Sequence, residues 1–345
     1  MKMNQSKTAF RMSIKRRIFL SALAATAGSS VLSSARAQSS KVGSNDTSDG
    51  MCTIRAGVLD VAYRQSGPRD GQAILLLHGF PYDVHSFDIV ASRLAATGKR
   101  VIVPYLRGYG PTRFIDGATP RVGQQAALGN DVIALMDALD IRQAILAGFD
   151  WGGRAACVVA ALHPERVTGL VSSGGPGYNI QNQNTFLIPR SAQWEREHWF
   201  YWYLNSRRGM AAFSADPVAF CRYLWRSFSP PWNFTDAMFL QTARSFANPD
   251  FVAVALHSYR YRIGEAPGDP MLDAVEKQLS DSPRISVPTI IIEGAEDGVD
   301  PPSDIESALQ HFGALRRRTV LTGVGHNVPQ EAPSQFAAAV LDLCD

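Results

Sequence analysis

The sequence predicts an α/β protein, with a mostly parallel, doubly wound sheet and one helical insertion. Three observations predict it. Short apolar runs bounded by Gly, Pro or Asp recur along the chain, and segments of helical period lie between them. The alternation then stops between about Tyr178 and Pro283, where aromatic residues crowd.

The apolar runs are Ala73–Leu77, Arg100–Tyr105, Gln143–Ala147, Thr168–Ser172, Pro288–Ile292 and Arg318–Leu321, each expected as a strand buried on both faces. Helical stretches are expected at Gln124–Leu139, at Gly152–Leu162 and in the closing segment Pro329–Leu343. The interrupted stretch holds five of the six tryptophans: Trp194, Trp199, Trp202, Trp225 and Trp232. A helical insertion of that composition is expected to cover the carboxyl edge of the sheet, where open α/β sheets bind ligands. Most of its aromatics would pack it down, leaving two or three to face a ligand. The expected organisation is a sheet core over 38–177 and 285–345 and a helical cap over 178–284.

The N-terminal segment is expected to be a signal rather than part of this fold. Lys15-Arg16-Arg17 precedes Ile18-Phe19-Leu20, an Ala-rich run to Leu32, and Ala35-Arg36-Ala37. Basic, apolar and small-x-small regions in that order make residues 1–37 an export signal, and the paired arginines resemble the twin-arginine type. The apolar run is shorter than the roughly 20 residues a membrane span needs. A mature chain would begin near Gln38 in the periplasm, with a polar linker to Gly50. Lys2, Lys7, Arg11, Lys15, Arg16 and Arg17 fall in the signal, and no basic stripe follows, so nucleic acid is not an expected partner. Cys52, Cys157, Cys221 and Cys344 show no metal-ligand spacing, and a chain folded before export would keep its buried thiols reduced. Composition says nothing of the oligomeric state.

The chemistry is concentrated where Gln143–Ala147 gives way to a helix. Gly148-Phe149-Asp150-Trp151-Gly152 has the small-x-nucleophile-x-small form of a nucleophile elbow, with aspartate at the centre. The flanking glycines allow the tight turn, and the helix N-terminus favours a carboxylate there. An aspartic acid ionises near pH ~3.9, so it needs no base before attacking. Its useful reaction is displacement at a saturated carbon, which leaves an ester on the enzyme. A histidine is then wanted to activate water against that ester. After Pro288–Ile292, the acids are Glu296, Asp297 and Asp300, with Asp297 the best placed to orient it. After Arg318–Leu321 comes Gly325-His326, so His326 is the base. The backbone N–H groups of Phe80, in His78-Gly79-Phe80-Pro81, and of Trp151 are the expected oxyanion donors. Pro81 suggests a fixed turn open to a cis bond.

Together His78-Gly79-Phe80-Pro81, Arg107-Gly108-Tyr109-Gly110, Gly148-Phe149-Asp150-Trp151-Gly152-Gly153 and Gly325-His326 make the chain resemble the epoxide hydrolase/haloalkane dehalogenase branch of the α/β-hydrolases. The resemblance spans nearly all of the mature chain and implies the α/β-hydrolase fold, with Asp150 as nucleophile, His326 as base and Asp297 as its orienter. A small apolar substrate is expected, and neither cofactor nor metal is, because the histidines show no His-x-x-x-His pairing and carboxylate displacement requires neither. The resemblance also implies two cap tyrosines donating to an epoxide oxygen. Tyr259 fits one. Phe200 stands where the other is expected and has no hydroxyl; Tyr201, Tyr203 and His198 are the neighbouring donors, and Tyr201 is carried forward. Two alternatives remain, a dehalogenase and a non-catalytic ligand receptor. A haloalkane dehalogenase would use the Trp151 indole N–H for halide, although Phe80 stands where a second donor is usual. A haloacid dehalogenase would want arginine in place of Trp151. A non-catalytic ligand receptor on the same scaffold is the third reading.

Overall fold

The computed structural model describes residues 50–174, 177–302, 306 and 309–344. The expected signal, 1–37, and nearly all of the linker lie outside the described residues.

Nine strands form one sheet: β1 (Met51–Ala56), β2 (Leu59–Ser66), β3 (Ala73–Leu77), β4 (Arg100–Pro104), β5 (Arg113–Phe114), β6 (Ala144–Phe149), β7 (Val167–Ser173), β8 (Thr289–Gly294) and β9 (Leu315–Leu321). The order is β1-β2-β4-β3-β6-β7-β8-β9, with β5 paired to β2. From β4 to β9 every neighbour is parallel, while β1, β2 and β5 join antiparallel. The parallel part is the predicted sheet. The antiparallel hairpin is new: Thr53, Arg55, Asp60 and Arg64 interrupt its apolar positions, so no continuous buried run announces it. Its turn at Gly57 uses φ +57°.

Two expectations need correction. β9 was expected to be buried on both faces, yet it is the sheet edge, with Arg316, Arg317 and Val320 exposed. Among the described strands it pairs with β8 alone, and an edge strand is covered less completely than a central one. The closing helix is also not continuous. It divides into Val328–Glu331 and Pro333–Leu341, because Pro333 lacks an N–H and holds Ala332 at φ −133°, outside the helical region.

Helix α1 (Asp88–Ala96) carries the chain from β3 to β4 on one side, and α2 (Gln125–Ala138) returns it to β6 on the other side of β3. Strand order therefore reverses between β3 and β6, and the crevice at their carboxyl ends is the place such sheets bind ligands. Leu77 pairs with Gly148 across this point, which sets the loop after β3 beside the start of α3 (Asp150–Leu162).

Between β7 and β8 the described chain is helical: α4 (Gln183–Phe186), α5 (Ala192–Glu197), α6 (Trp199–Tyr203), α7 (Arg207–Ala215), α8 (Pro217–Phe228), α9 (Asp236–Ala243), α10 (Phe251–Arg262) and α11 (Asp273–Ser280). Side chains of Ser206, Asp216 and Thr235 cap the N-termini of α7, α8 and α9, and Pro217 opens α8 where its missing N–H costs nothing. The fully buried Trp225 donates its indole N–H to the Pro81 carbonyl at 2.8 Å, tying α8 to the loop after β3. Buried Asp83 makes a second tie, accepting from the Thr242 and Ser245 hydroxyls at 2.9 and 2.5 Å. Among the described residues no helix is long and apolar enough to cross a membrane.

Candidate active site

β6 is buried throughout and ends at Phe149, and Asp150 follows at φ +50°. The helix starts there, two residues earlier than the apolar pattern predicts. A non-glycine residue in the left-handed region costs on the order of 1–3 kcal/mol and persists only where its surroundings enforce it. The glycines are part of that enforcement. A Cβ on Gly152 would lie 2.0 Å from the Leu77 carbonyl oxygen, and one on Gly148 would meet Gly152 at 2.6 Å. The turn therefore closes tightly only with both, and it sets the Asp150 carboxylate at the N-terminus of α3.

The carboxylate is held by one oxygen. The Phe80 N–H donates to Oδ1 at 2.6 Å, and the Phe80-Pro81 bond is cis. Oδ2 lies 4.0 Å from His326 Nε2, beyond direct hydrogen bonding. Of the two expected oxyanion donors, Phe80 is thus engaged in this state. The Trp151 N–H sits in the first turn of α3 and makes no such bond to Asp150.

Three acids competed for His326, and geometry separates them. Asp297 Oδ2 is 2.8 Å from His326 Nδ1, and Asp297 Oδ1 accepts from the Val299 and Asp300 N–H groups at 2.9 Å each. Glu296 instead caps the outer turn, accepting from the Gly323 N–H at 2.7 Å, and Asp300 lies 3.8 Å from His198 Nε2. With Nδ1 donating to Asp297, Nε2 faces Asp150, buried and without a hydrogen-bond partner. Burial opposes the charged imidazole, but Asp297, then Asp150 and Asp300, outweigh it and lift its pKa to about 9.

The loop bearing His326 is fastened from the cap. Ser229, just past α8, accepts from the His326 N–H at 3.0 Å and donates to Glu331 at 2.6 Å. Glu331 accepts in turn from the Gly325 and Asn327 N–H groups at 2.7 and 3.0 Å. Gly325 is required by this approach, since a Cβ there would fall 2.6 Å from the Ser229 Cα.

On the cap side, Tyr259 is buried, its ring 5.2 Å from Phe80 and 5.2 Å from Tyr201 by centroids. Tyr201 is also buried, and its hydroxyl oxygen accepts from Arg262 Nη1 at 3.2 Å, leaving its proton free to donate. Tyr203 does not join them; it packs on Phe220 and Trp199. His198 is committed to the Trp194 carbonyl and Asp300. Burial pushes the Tyr201 phenol up to about 12 and that of Tyr259 well above the ordinary range, so both are protonated donors at neutral pH.

Two residues here escaped the sequence reading. Arg154 and Arg262 are both buried, and the electrostatic neighbours of Arg154 include Arg262, Asp150, Tyr201 and Tyr259. The available signal was the helical spacing from Asp150 to Arg154, four residues, rather than the position directly after the nucleophile. The Trp151 indole N–H is also buried without a partner.

Residues 72–333 match the model of the alpha/beta hydrolase fold family. A crystal structure of a candidate epoxide hydrolase from Klebsiella pneumoniae subsp. pneumoniae superimposes with a TM-score of 0.83 at 46% identity, covering 86% of this chain and 97% of that one. An epoxide hydrolase of Caballeronia sordidicola is 28% identical over 286 residues, 77% of this chain and 85% of its own length. Epoxide hydrolase A of Mycobacterium tuberculosis is 23% identical over 302 residues, 81% of this chain and 92% of its own. The chain belongs to the α/β-hydrolase fold family and is a hydrolase.

Proposed function

We propose that the chain hydrolyses an epoxide to a diol through an alkyl ester on Asp150. One observation carries this reading: a carboxylate at a strained elbow has one oxygen held at 2.6 Å by the Phe80 N–H and the other left toward His326, and a buried phenol, Tyr259, packs on the Phe80 and Trp151 rings with Tyr201 against it. Asp150 Oδ2 attacks a ring carbon, the carbon–oxygen bond breaks, and the departing oxygen takes its proton from Tyr259 or Tyr201. Donation matters because an alkoxide leaves poorly, and desolvated phenols are strong donors in such a site.

The ester carbonyl oxygen then occupies the position of Oδ1, against the Phe80 N–H. His326 takes a proton from water, hydroxide adds to the carbonyl carbon, the diol oxygen leaves with the proton from His326, and the proton left on the regenerated Asp150 carboxyl returns to the phenolate. Esterification also removes the Asp150 charge that helps keep His326 protonated, so forming the ester releases the base that cleaves it. The named relatives support the epoxide reading. The unpartnered Trp151 N–H favours a second reading, halide displacement by the same ester, although no side-chain donor at Phe80 would share the halide.

His326→Gln, incubated with a styrene-type epoxide, is expected to gain the mass of the epoxide on the peptide bearing Asp150. An unmodified peptide together with diol release excludes the ester. Wild type in ¹⁸O-labelled water is expected to place label in Asp150 during a single turnover. Haloalkane turnover without epoxide turnover would transfer the assignment to the second reading. We also propose that residues 1–37 export the folded chain to the periplasm. Replacing Arg16 and Arg17 by Lys should leave it in the cytoplasmic fraction, and unchanged fractionation would refute the twin-arginine route.

A further inference from the structure

Among the described residues three arginines are buried, and one of them, Arg107, is matched by a carboxylate. Arg107 is 4% exposed and meets Asp131 with two nitrogens at 2.6 and 2.7 Å, while donating to the Val122 carbonyl. The two arginines at the catalytic site are treated differently. Arg154 is 5% exposed, its Nε has no hydrogen-bond partner, and no carboxylate among the described residues is paired with it. Arg262 is 6% exposed and, among the described residues, meets the hydroxyls of Tyr201 and Ser258, both at 3.2 Å, and the faces of Tyr259 and Tyr201. Two buried guanidinium charges that act on one another have also lost their hydration, an unfavourable arrangement unless an anion completes it. Burial, then the charge of Arg262, pulls Arg154 down to about 10, which still leaves it protonated at neutral pH.

Asp150, Glu276 and Asp300 act on Arg154 electrostatically, and none of them is close enough to pair. In the proposed reaction the Asp150 charge disappears when the ester forms, so the cations would face the intermediate with less compensation than the free enzyme gives them. A substrate carrying its own anion removes this penalty at every stage. We propose that the substrate bears a carboxylate, bound by Arg154 and Arg262 beside the phenols, so that an epoxy acid rather than a wholly apolar epoxide is the substrate class. This rests on the epoxide reading for the reacting end and on the guanidinium pair for the other. The carboxylate belongs a few atoms from the reacting carbon, because Arg154 stands one helical turn from Asp150. A planar guanidinium matches a carboxylate in geometry as well as charge.

The test compares 2,3-epoxybutanoate with 2,3-epoxybutanamide, which differ in charge and little in shape. Wild type is expected to favour the acid in kcat/KM by about 100-fold, since a site built for a polar partner rejects its neutral analogue strongly. Arg154→Met should collapse that ratio toward one, and Arg154→Lys should retain most of it. A wild-type ratio near or below one, or a ratio unchanged by Arg154→Met, overturns the inference while leaving epoxide hydrolysis standing. Calorimetric titration with butanoate separates the two claims, because it needs no turnover. Butanoate binding that falls about 10-fold or more in Arg154→Met, with neither epoxide consumed, would keep the carboxylate site and overturn the epoxide reading. Tighter binding of inorganic phosphate than of butanoate would overturn the carboxylate assignment.

Discussion

At Asp150 and His326 the chemistry reduces to two charges and the space between them. The imidazole is lifted to about 9 by carboxylates around it, so the stabilisation it confers is complete below the free value of 6.5 and is lost as pH rises through about 9. The melting temperature should accordingly fall between pH 7 and 10, and a flat profile would contradict the buried ion pair. Catalysis has a different requirement, since only the neutral imidazole accepts a proton from water. With Asp150 esterified, part of the lift is gone. Ester hydrolysis, followed by stopped-flow tryptophan fluorescence, should rise with pH to a midpoint below about 9. A midpoint at or above that value would mean that Asp150 does not contribute to the shift. Asp150→Asn should lose at least ~10³-fold in turnover, having no carboxylate to form the ester.

At the scale of elements, the end of α8 and the loop after β9 hold the histidine between them. Ser229→Ala leaves the buried His326 N–H without its partner and takes one of two donors from a Glu331 oxygen, a cost of about 1–3 kcal/mol. Gly325→Ala forces the loop off Ser229, and a displacement of about 1 Å can cost ~10²-fold in rate. Both changes should slow ester hydrolysis far more than ester formation, because they move the base and leave Asp150 in its turn. Burst kinetics would show accumulating ester; equal slowing of both steps would show that the loop serves the nucleophile too. The elbow itself behaves as one unit. Its helix begins at Asp150 because Gly148 and Gly152 let strand and helix approach more closely than any Cβ permits.

Across the whole molecule, the cap is fixed to the sheet at a few polar points within an aromatic interface. Trp225→Phe keeps the packing of that ring on Tyr82, at 4.8 Å between centroids, but leaves the Pro81 carbonyl unpaired. The loss should be about 1–3 kcal/mol, seen as a melting temperature lower by a few degrees. An unchanged value would mean that the indole bond is idle. The same interface explains how the aromatic-rich stretch divides its labour. Trp225 is fully buried, Trp202 lies largely at the surface, and Tyr259 packs on Phe80 and Trp151 with Tyr201 against it.

The parallel strands, the elbow and the chain order of nucleophile, acid and histidine were legible from the residues alone. Each is a local pattern: a buried run, a pair of flanking glycines, a loop at a strand's end. The antiparallel hairpin was not, because its apolar positions are broken by charged ones and become a strand only on pairing with β4. Which acid meets His326, and which cap hydroxyl meets the site, depended on distances between segments far apart in the chain. Likewise, an arginine four places after the nucleophile is unremarkable in a sequence. It takes on meaning only when folding brings Arg262 beside it and supplies neither with a carboxylate, since a buried charge is judged by the company that tertiary structure provides.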